Sequence, residues 1–145
     1  MAKTSDSIHV DLSPEDTFAA AADLSRYDEW LVLHDGWRST LPGADELGKG
    51  TTLSSVIKAK GTRVRFTWEV EKFDRPKEVV LKGNGKGGVK AKLNLTVKPD
   101  GDGSTITFLI DLGGLPLMGP VGKAAAAAVK GDVHTSLEKF TTLFS

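Results

Sequence analysis

The sequence predicts an α+β fold: a curved, seven-stranded antiparallel sheet wrapped around one long C-terminal helix, with two short helices after the first strand. Three observations carry this expectation. Apolar residues recur with period two through the middle of the chain and with helical period at its end. Short Gly- and Pro-rich links separate the candidate strands, which favours antiparallel neighbours over βαβ units. The terminal apolar stripe is long enough for one helix to cover a sheet face.

The elements follow in order. Ile8, Val10 and Leu12 alternate with polar residues as a half-buried strand. Ser13 can cap a helix whose first turn holds Pro14, Glu15 and Asp16, where proline fits and carboxylates complement the helix dipole. That helix is expected to stop near Leu24, and a second, capped by Ser25, to run to Trp30. Strands are then expected at Trp37–Leu41, Thr51–Lys60, Arg63–Phe73, Glu78–Gly83, Val89–Lys98 and Ser104–Leu112. After the loop from Leu115 to Gly119, Pro120 opens a helix to about Leu143. Ala124 to Ala128 favour it, while Gly131 costs about 1 kcal/mol against alanine.

The strands share one clean apolar parity. Val64, Phe66, Trp68 and Val70 face one way; Arg63, Arg65, Thr67 and Glu69 face the other. Leu93, Leu95 and Val97 repeat the pattern, as do Ile106, Phe108 and Ile110. One sheet face must therefore be covered and the other solvated. In the less apolar strand of Leu53, Ile57 and Ala59, Ser55 can present its hydroxyl inward. On the long helix Val129, Val133, Ser136, Leu137, Phe140 and Phe144 form one stripe. Extended backwards, the stripe meets Gly122, Ala125 and Ala126. Either the helix approaches the sheet closely at that end, or an apolar pocket remains there. Apolar walls with few polar groups are what small-molecule sites usually have.

At this point three segments resemble a known superfamily: Asp23-Leu24-Ser25-Arg26-Tyr27-Asp28-Glu29-Trp30, Gly83 through Lys90, and Leu112-Gly113-Gly114 through Gly119-Pro120-Val121-Gly122. Across residues 3–144 the chain resembles the START-like, helix-grip (SRPBCC) superfamily, in its polyketide cyclase/dehydrase and lipid-transport branch. Within that branch the same segments are similar to small actinobacterial proteins described as toxins of toxin–antitoxin pairs. The resemblance implies a sheet gripping the C-terminal helix around an apolar ligand. By position it implies pocket walls at Phe66, Trp68, Leu95, Phe108, Ile110, Ala125 and Val129, with Trp30 and Trp37 near the entrance. Ser55 and Ile57, of one parity on their strand, are expected to join the lining. Cyclase members use scattered polar residues in the pocket. Here Tyr27 is the single tyrosine, and Arg63 and Arg65 have the outward parity, which departs from a cyclase.

Composition narrows the function further. The chain has 145 residues, enough for one domain spanning 1–145, and no cysteine, which excludes disulfides, thiol catalysis and Cys-ligated metals. Met1 to Asp11 is polar and no apolar span occurs, so a cytoplasmic location without a membrane span is expected. The net charge of zero hides a balance of −6 over residues 1–57, +8 over 58–98 and −2 over 99–145. Lysines and arginines of the outward parity offer a basic surface, but without interleaved aromatics, so nucleic acid is not an expected partner. Gly83, Gly85 and Gly88 match G-x-G-x-x-G, yet a strand follows instead of the helix that a dinucleotide site requires. His9, His34 and His134 do not cluster, and no metal or cofactor is expected. His34, beside Asp35 in a loop near the pocket mouth, is a candidate acid or base.

The leading expectation is a non-catalytic binding protein for a hydrophobic, lipid- or polyketide-like molecule. The alternatives are a polyketide cyclase or aromatase helped by His34 or Ser55, and a toxin acting through an antitoxin-like protein partner at its outer surface.

Overall fold

A computed structural model describes residues 2–39, 47–59, 62–114 and 120–144. The elements are β1 (Ala2–Val10), α1 (Pro14–Ala21), a 3-10 turn (Leu24–Arg26), α2 (Tyr27–Trp30), β2 (His34–Trp37), β3 (Thr52–Ala59), β4 (Thr62–Asp74), β5 (Glu78–Gly85), β6 (Lys90–Asp100), β7 (Gly103–Gly113) and α3 (Pro120–Phe144). The strands form one curved antiparallel sheet in the order β1-β7-β6-β5-β4-β3-β2. Consecutive strands β2 to β7 are neighbours, and β1 closes on β7 in the register Ala2↔Leu112 to Val10↔Ser104. No helix among the described residues is long and apolar enough to cross a membrane.

Several boundaries differ from the sequence expectation, each for a physical reason. β1 begins well before Ile8 because its inward positions Thr4 and Asp6 are polar, which hides the alternation. Leu12 leaves the strand; its carbonyl accepts from Ser104 Oγ and Thr17 Oγ1 as the chain turns into α1. Ser13 caps α1 as expected, accepting from the Asp16 amide. The next cap is Asp23 rather than Ser25, and the expected second helix splits into a 3-10 turn and the four residues of α2. β2 lies at His34–Trp37 instead of Trp37–Leu41, with a bulge between His34 and Gly36; residues 40 and 41 lie outside the described residues.

β5 continues past Gly83 to Gly85 because glycine is needed there. The Trp68 and Phe66 rings of β4 lie across their partners Gly83 and Gly85. A Cβ on Gly83 would sit 2.5 Å from the Trp68 ring, and one on Gly85 3.0 Å from Phe66. Such aromatic–glycine pairs let a large ring flatten against the sheet.

α3 packs chiefly along β1, with less contact to α2, β3 and β7. The stripe of Val129, Val133, Ser136, Leu137 and Phe140 is buried as expected, and Phe144 half-buried. Burying each large apolar side chain contributes about 1.5–3 kcal/mol. Ser136 adds a polar pin: its hydroxyl accepts from the Val32 amide at 2.9 Å and donates to the Asp132 carbonyl at 2.7 Å. The core falls into two clusters. One joins α1 and α3 to β1, β6 and β7 through Phe18, Trp30, Phe108 and Phe140. The other holds Leu24, Leu53, Phe66, Trp68 and Ala91 over β3 to β6.

A second pin joins α3 to β1, where His134 Nδ1 lies 2.6 Å from Asp6 Oδ2 and Nε2 lies 3.4 Å from Glu138. The Asp6 bond and then the Glu138 charge raise the His134 pKa above 6.5. The same bond, helped by Lys130, holds Asp6 below 3.8. A raised histidine adds stability that is complete below its unfolded value and lost as pH rises through its folded one; the lowered carboxylate loses its share as pH falls through its own. The melting temperature of His134→Gln should therefore fall below wild type most clearly near about pH 5.5 and converge with it by about pH 9. Parallel melting curves at both pH values would refute the pin.

Candidate functional site

Two small cavities lie on the seam between the core clusters. The first leaves about 30 Å³ free beneath the end of α1. Ala21, Ala22, Leu24, Tyr27, Leu31 and Leu47 wall it against Leu53, Val70, Phe73, Val79, Leu81, Leu93, Leu95 and Phe108 of the sheet. The second leaves about 40 Å³ beside α3, between Leu31, Leu33 and Val129 and the sheet residues Ile57, Phe66, Trp68, Ala91, Leu93, Phe108, Ile110 and Leu112. Each exceeds the roughly 10–15 Å³ that one water needs, yet neither offers the polar partners that hold a water.

The walls contain two side chains with polar atoms, and both are committed. The Tyr27 hydroxyl donates to the Ala21 carbonyl at 2.8 Å, and burial pushes its pKa up, so it stays protonated. Trp68 Nε1 donates to Ser55 Oγ at 2.9 Å. A ligand oxygen placed in either cavity would lose its water without gaining a partner, at about 1–3 kcal/mol.

The expected site residues are distributed as follows. Ile57, Phe66, Trp68, Phe108, Ile110 and Val129 wall the second cavity, and Leu95 and Phe108 the first. Ser55 points inward and is 1% exposed, but its oxygen serves Trp68 rather than the cavity. Trp30 is 1% exposed in the main cluster, edge-on to Phe140 at 5.1 Å and to Tyr27 at 5.3 Å. It walls neither cavity and lies in the core instead of at an entrance. Trp37 is half-buried over Tyr27, its Nε1 donating to the Leu24 carbonyl at 2.8 Å. The side chain of Ala125, with Gly122 and Ala126 of the same stripe, lies outside the described residues.

His34 is in β2, paired with Ile57, and not in a loop. Its ring is buried between Trp37 at 4.8 Å and Tyr27 at 6.1 Å. That burial lowers its pKa and keeps the imidazole neutral at pH 7. Asp35 turns away to Arg63, 3.1 Å distant, so the two neighbours in sequence do not form an acid–base pair. His34 walls neither cavity. Among the described residues no group of three His, Asp or Glu side chains could hold a metal ion.

Sequence reasoning missed Leu31 and Leu33, which follow α2 in a segment without period. It also left Ala91, Leu93 and Leu112 out of the site, although Ala91 and Leu93 share the inward parity of Leu95 and Val97, and Leu112 that of Phe108 and Ile110. On the opposite face Arg63, Arg65, Lys82 and Lys90 are exposed. Arg65 bonds Ser54 and Lys92 pairs with Glu71, while Lys82 and Lys90 have no ion-pair partner among the described residues.

A sequence profile described as "Polyketide cyclase / dehydrase and lipid transport" matches residues 1–145. The chain is 49% identical over 144 residues to a Mycobacterium tuberculosis protein named Uncharacterized protein Rv1546, covering 99% of each. It is 44% identical over 145 residues to Toxin Rv0910 of the same organism, covering 100% of this chain and 99% of the relative. A START superfamily protein from Mycobacterium smegmatis superposes with a TM-score of 0.78 at 18% identity, over 99% of each chain. TTHA0849 from Thermus thermophilus also reaches 0.78, at 16% identity, over 97% of this chain and 94% of that one. At such identities these two structures report the shared fold.

The wall built by Trp68 makes two testable demands. Ser55→Ala strands a buried indole N–H and should cost about 1–3 kcal/mol in chemical denaturation. Gly83→Ala drives a methyl into the Trp68 ring and should cost about 1–3 kcal/mol, with a shifted tryptophan emission. Unchanged denaturation midpoints would show that the ring does not lie where the strand pairing puts it.

Proposed function

This chain belongs to the polyketide cyclase/dehydrase and lipid-transport family, and from that premise we propose that residues 1–145 act as a single domain binding a hydrophobic small molecule between the sheet and α3 without transforming it. The observation that carries the reading is the pair of apolar cavities on the core seam, walled by strands on one side and by α1, α3 and the segment after α2 on the other. A binding role suits walls whose polar atoms are already satisfied. General acid–base or nucleophilic work needs a group within reach of the reacting atom. Ser55 is engaged with Trp68, and His34, paired with Ile57 across the strands and edge-on to the Tyr27 ring, lines neither cavity.

Native mass spectrometry of the purified protein, with solvent extraction of bound molecules, tests the reading. We expect an apolar species to co-purify, or 1-anilinonaphthalene-8-sulfonate to bind with enhanced fluorescence. Val129→Trp, which fills the second cavity from α3, should weaken dye binding about tenfold or more. No extractable molecule together with exclusion of the dye would sink the proposal.

A second reading is favoured by one observation, the full-length similarity to a protein named a toxin. On this reading the chain arrests growth and is neutralised by an acidic protein partner at the outer sheet face. Expression should then arrest growth, and co-expression of the adjacent gene product should relieve it. Lys82→Glu with Lys90→Glu should block that relief while Val129→Trp leaves it intact. Normal growth on expression would dismiss the toxin role.

A further inference from the structure

The two cavities are neighbours divided by three side chains, Leu31, Leu93 and Phe108, each of which contributes to both. Resting on the binding reading above, we propose that these three side chains are a displaceable partition, and that the ligand is an unbranched acyl or alkyl chain threading both cavities once Leu31 moves aside.

The geometry favours length over breadth. Across the seam, widening the second cavity would mean parting α3 from β1 and from the segment after α2, to which His134 and Ser136 pin it. Widening the first would mean lifting Leu24 and Tyr27, whose carbonyl and hydroxyl are hydrogen-bonded to Trp37 and Ala21, off the sheet. Along the seam, joining the cavities asks only for side-chain rotation. Leu93 and Phe108 stand on β6 and β7, adjacent strands paired on both sides, and their backbones are fixed. Leu31 follows α2 in a stretch outside helix and sheet, its amide bonded to the Tyr27 carbonyl and its carbonyl to the His34 amide, so its side chain, not its backbone, is what turns. It is the member of the partition best able to yield. The chemistry of the walls agrees. Neither cavity presents a free donor or acceptor, so a molecule bearing ring oxygens would bury them unpaired, whereas a hydrocarbon chain has none to bury. A polar head would remain outside the cavities.

Displacement of cis-parinaric acid from the full chain tests this, using saturated fatty acids of increasing length and emodin, a three-ring hydroxylated quinone. Affinity should rise about three- to fourfold per added methylene over the lengths that span both cavities. Emodin should bind at least about tenfold more weakly than dodecanoate, because its oxygens go unpaired. Leu31→Ala should tighten long chains selectively, and Leu31→Trp should flatten the chain-length dependence, with circular dichroism confirming that both variants fold. A second arm offers the same chain in phosphatidylcholine vesicles. Uptake from vesicles would assign the chain to a membrane lipid, and uptake of the free acid alone to a soluble fatty acid; either supports the proposal. Emodin binding as tightly as dodecanoate, or an unchanged length dependence in both Leu31 variants, would overturn it. If neither cis-parinaric acid nor the anilinonaphthalene dye binds, the binding reading itself fails and this inference with it.

Discussion

The position of α3 along the edge strand β1 governs the rest of the molecule. A helix is roughly 10–12 Å across with its side chains, whereas seven strands at about 4.8 Å spacing span far more. One helix therefore cannot cover the whole concave face. α3 covers β1 and reaches β7, held there by the Val133–Leu137–Phe140 stripe and the His134–Asp6 contact. What remains, the inner face of β3 to β6, is covered by Leu24, Tyr27, Leu31 and Leu33 from the short helical segment. The division of the core into two clusters follows from this shortage of cover, and the cavities lie where the clusters meet.

The far cluster solves a packing problem of its own. Phe66 and Trp68 stack at 5.0 Å between ring centres on alternate residues of β4. They lie down only because Gly83 and Gly85 of the neighbouring strand leave room. Lying flat, they form a low wall instead of filling the concave face. Alanine or a larger residue at Gly83 would drive Trp68 upward into the space beside Ala91, which is part of the second cavity. Two glycines thus help to keep free a volume that they do not themselves line. The Trp68–Ser55 bond satisfies the indole where a free polar group would otherwise invite water.

Much of this was legible because parity and stripe are direct readouts of burial. Phe66, Trp68, Phe108 and Ile110 stand where alternation placed them, and Val129 to Phe140 face the core as the helical period required. Failures came where burial and polarity part company. Thr4 and Asp6 face inward on β1, so that strand's first half reads as a tail. Gly85 carries no side chain, so the end of β5 beyond Gly83 gives no strand signal. Leu31 and Leu33 are buried from a segment with no regular period, and no local pattern marks them as walls. His34 sits beside charged Asp35, which suggests a surface loop, but a bulge in β2 turns the histidine in and the aspartate out.

The same alternation separates two kinds of interaction that a protein of this size could easily confuse. On β4 the residues that wall the seam, Phe66, Trp68 and Val70, interleave one by one with Arg65, Thr67 and Glu69 on the outer face. A side chain on one parity cannot contact what binds the other, since the sheet lies between them. The excess of +8 over residues 58–98 therefore accumulates on strands whose inner faces are entirely uncharged where they meet the cavities. Charge on the outside leaves the apolar seam untouched, and an apolar ligand inside does not neutralise that charge. Binding of a hydrocarbon and attraction of an acidic partner would then be two independent properties of one set of strands. Coupling between them would require movement of the backbone itself, and the segment carrying Leu31 and Leu33 is where the cavity wall meets that backbone, since its carbonyls accept from the His34 and Lys58 amides of β2 and β3.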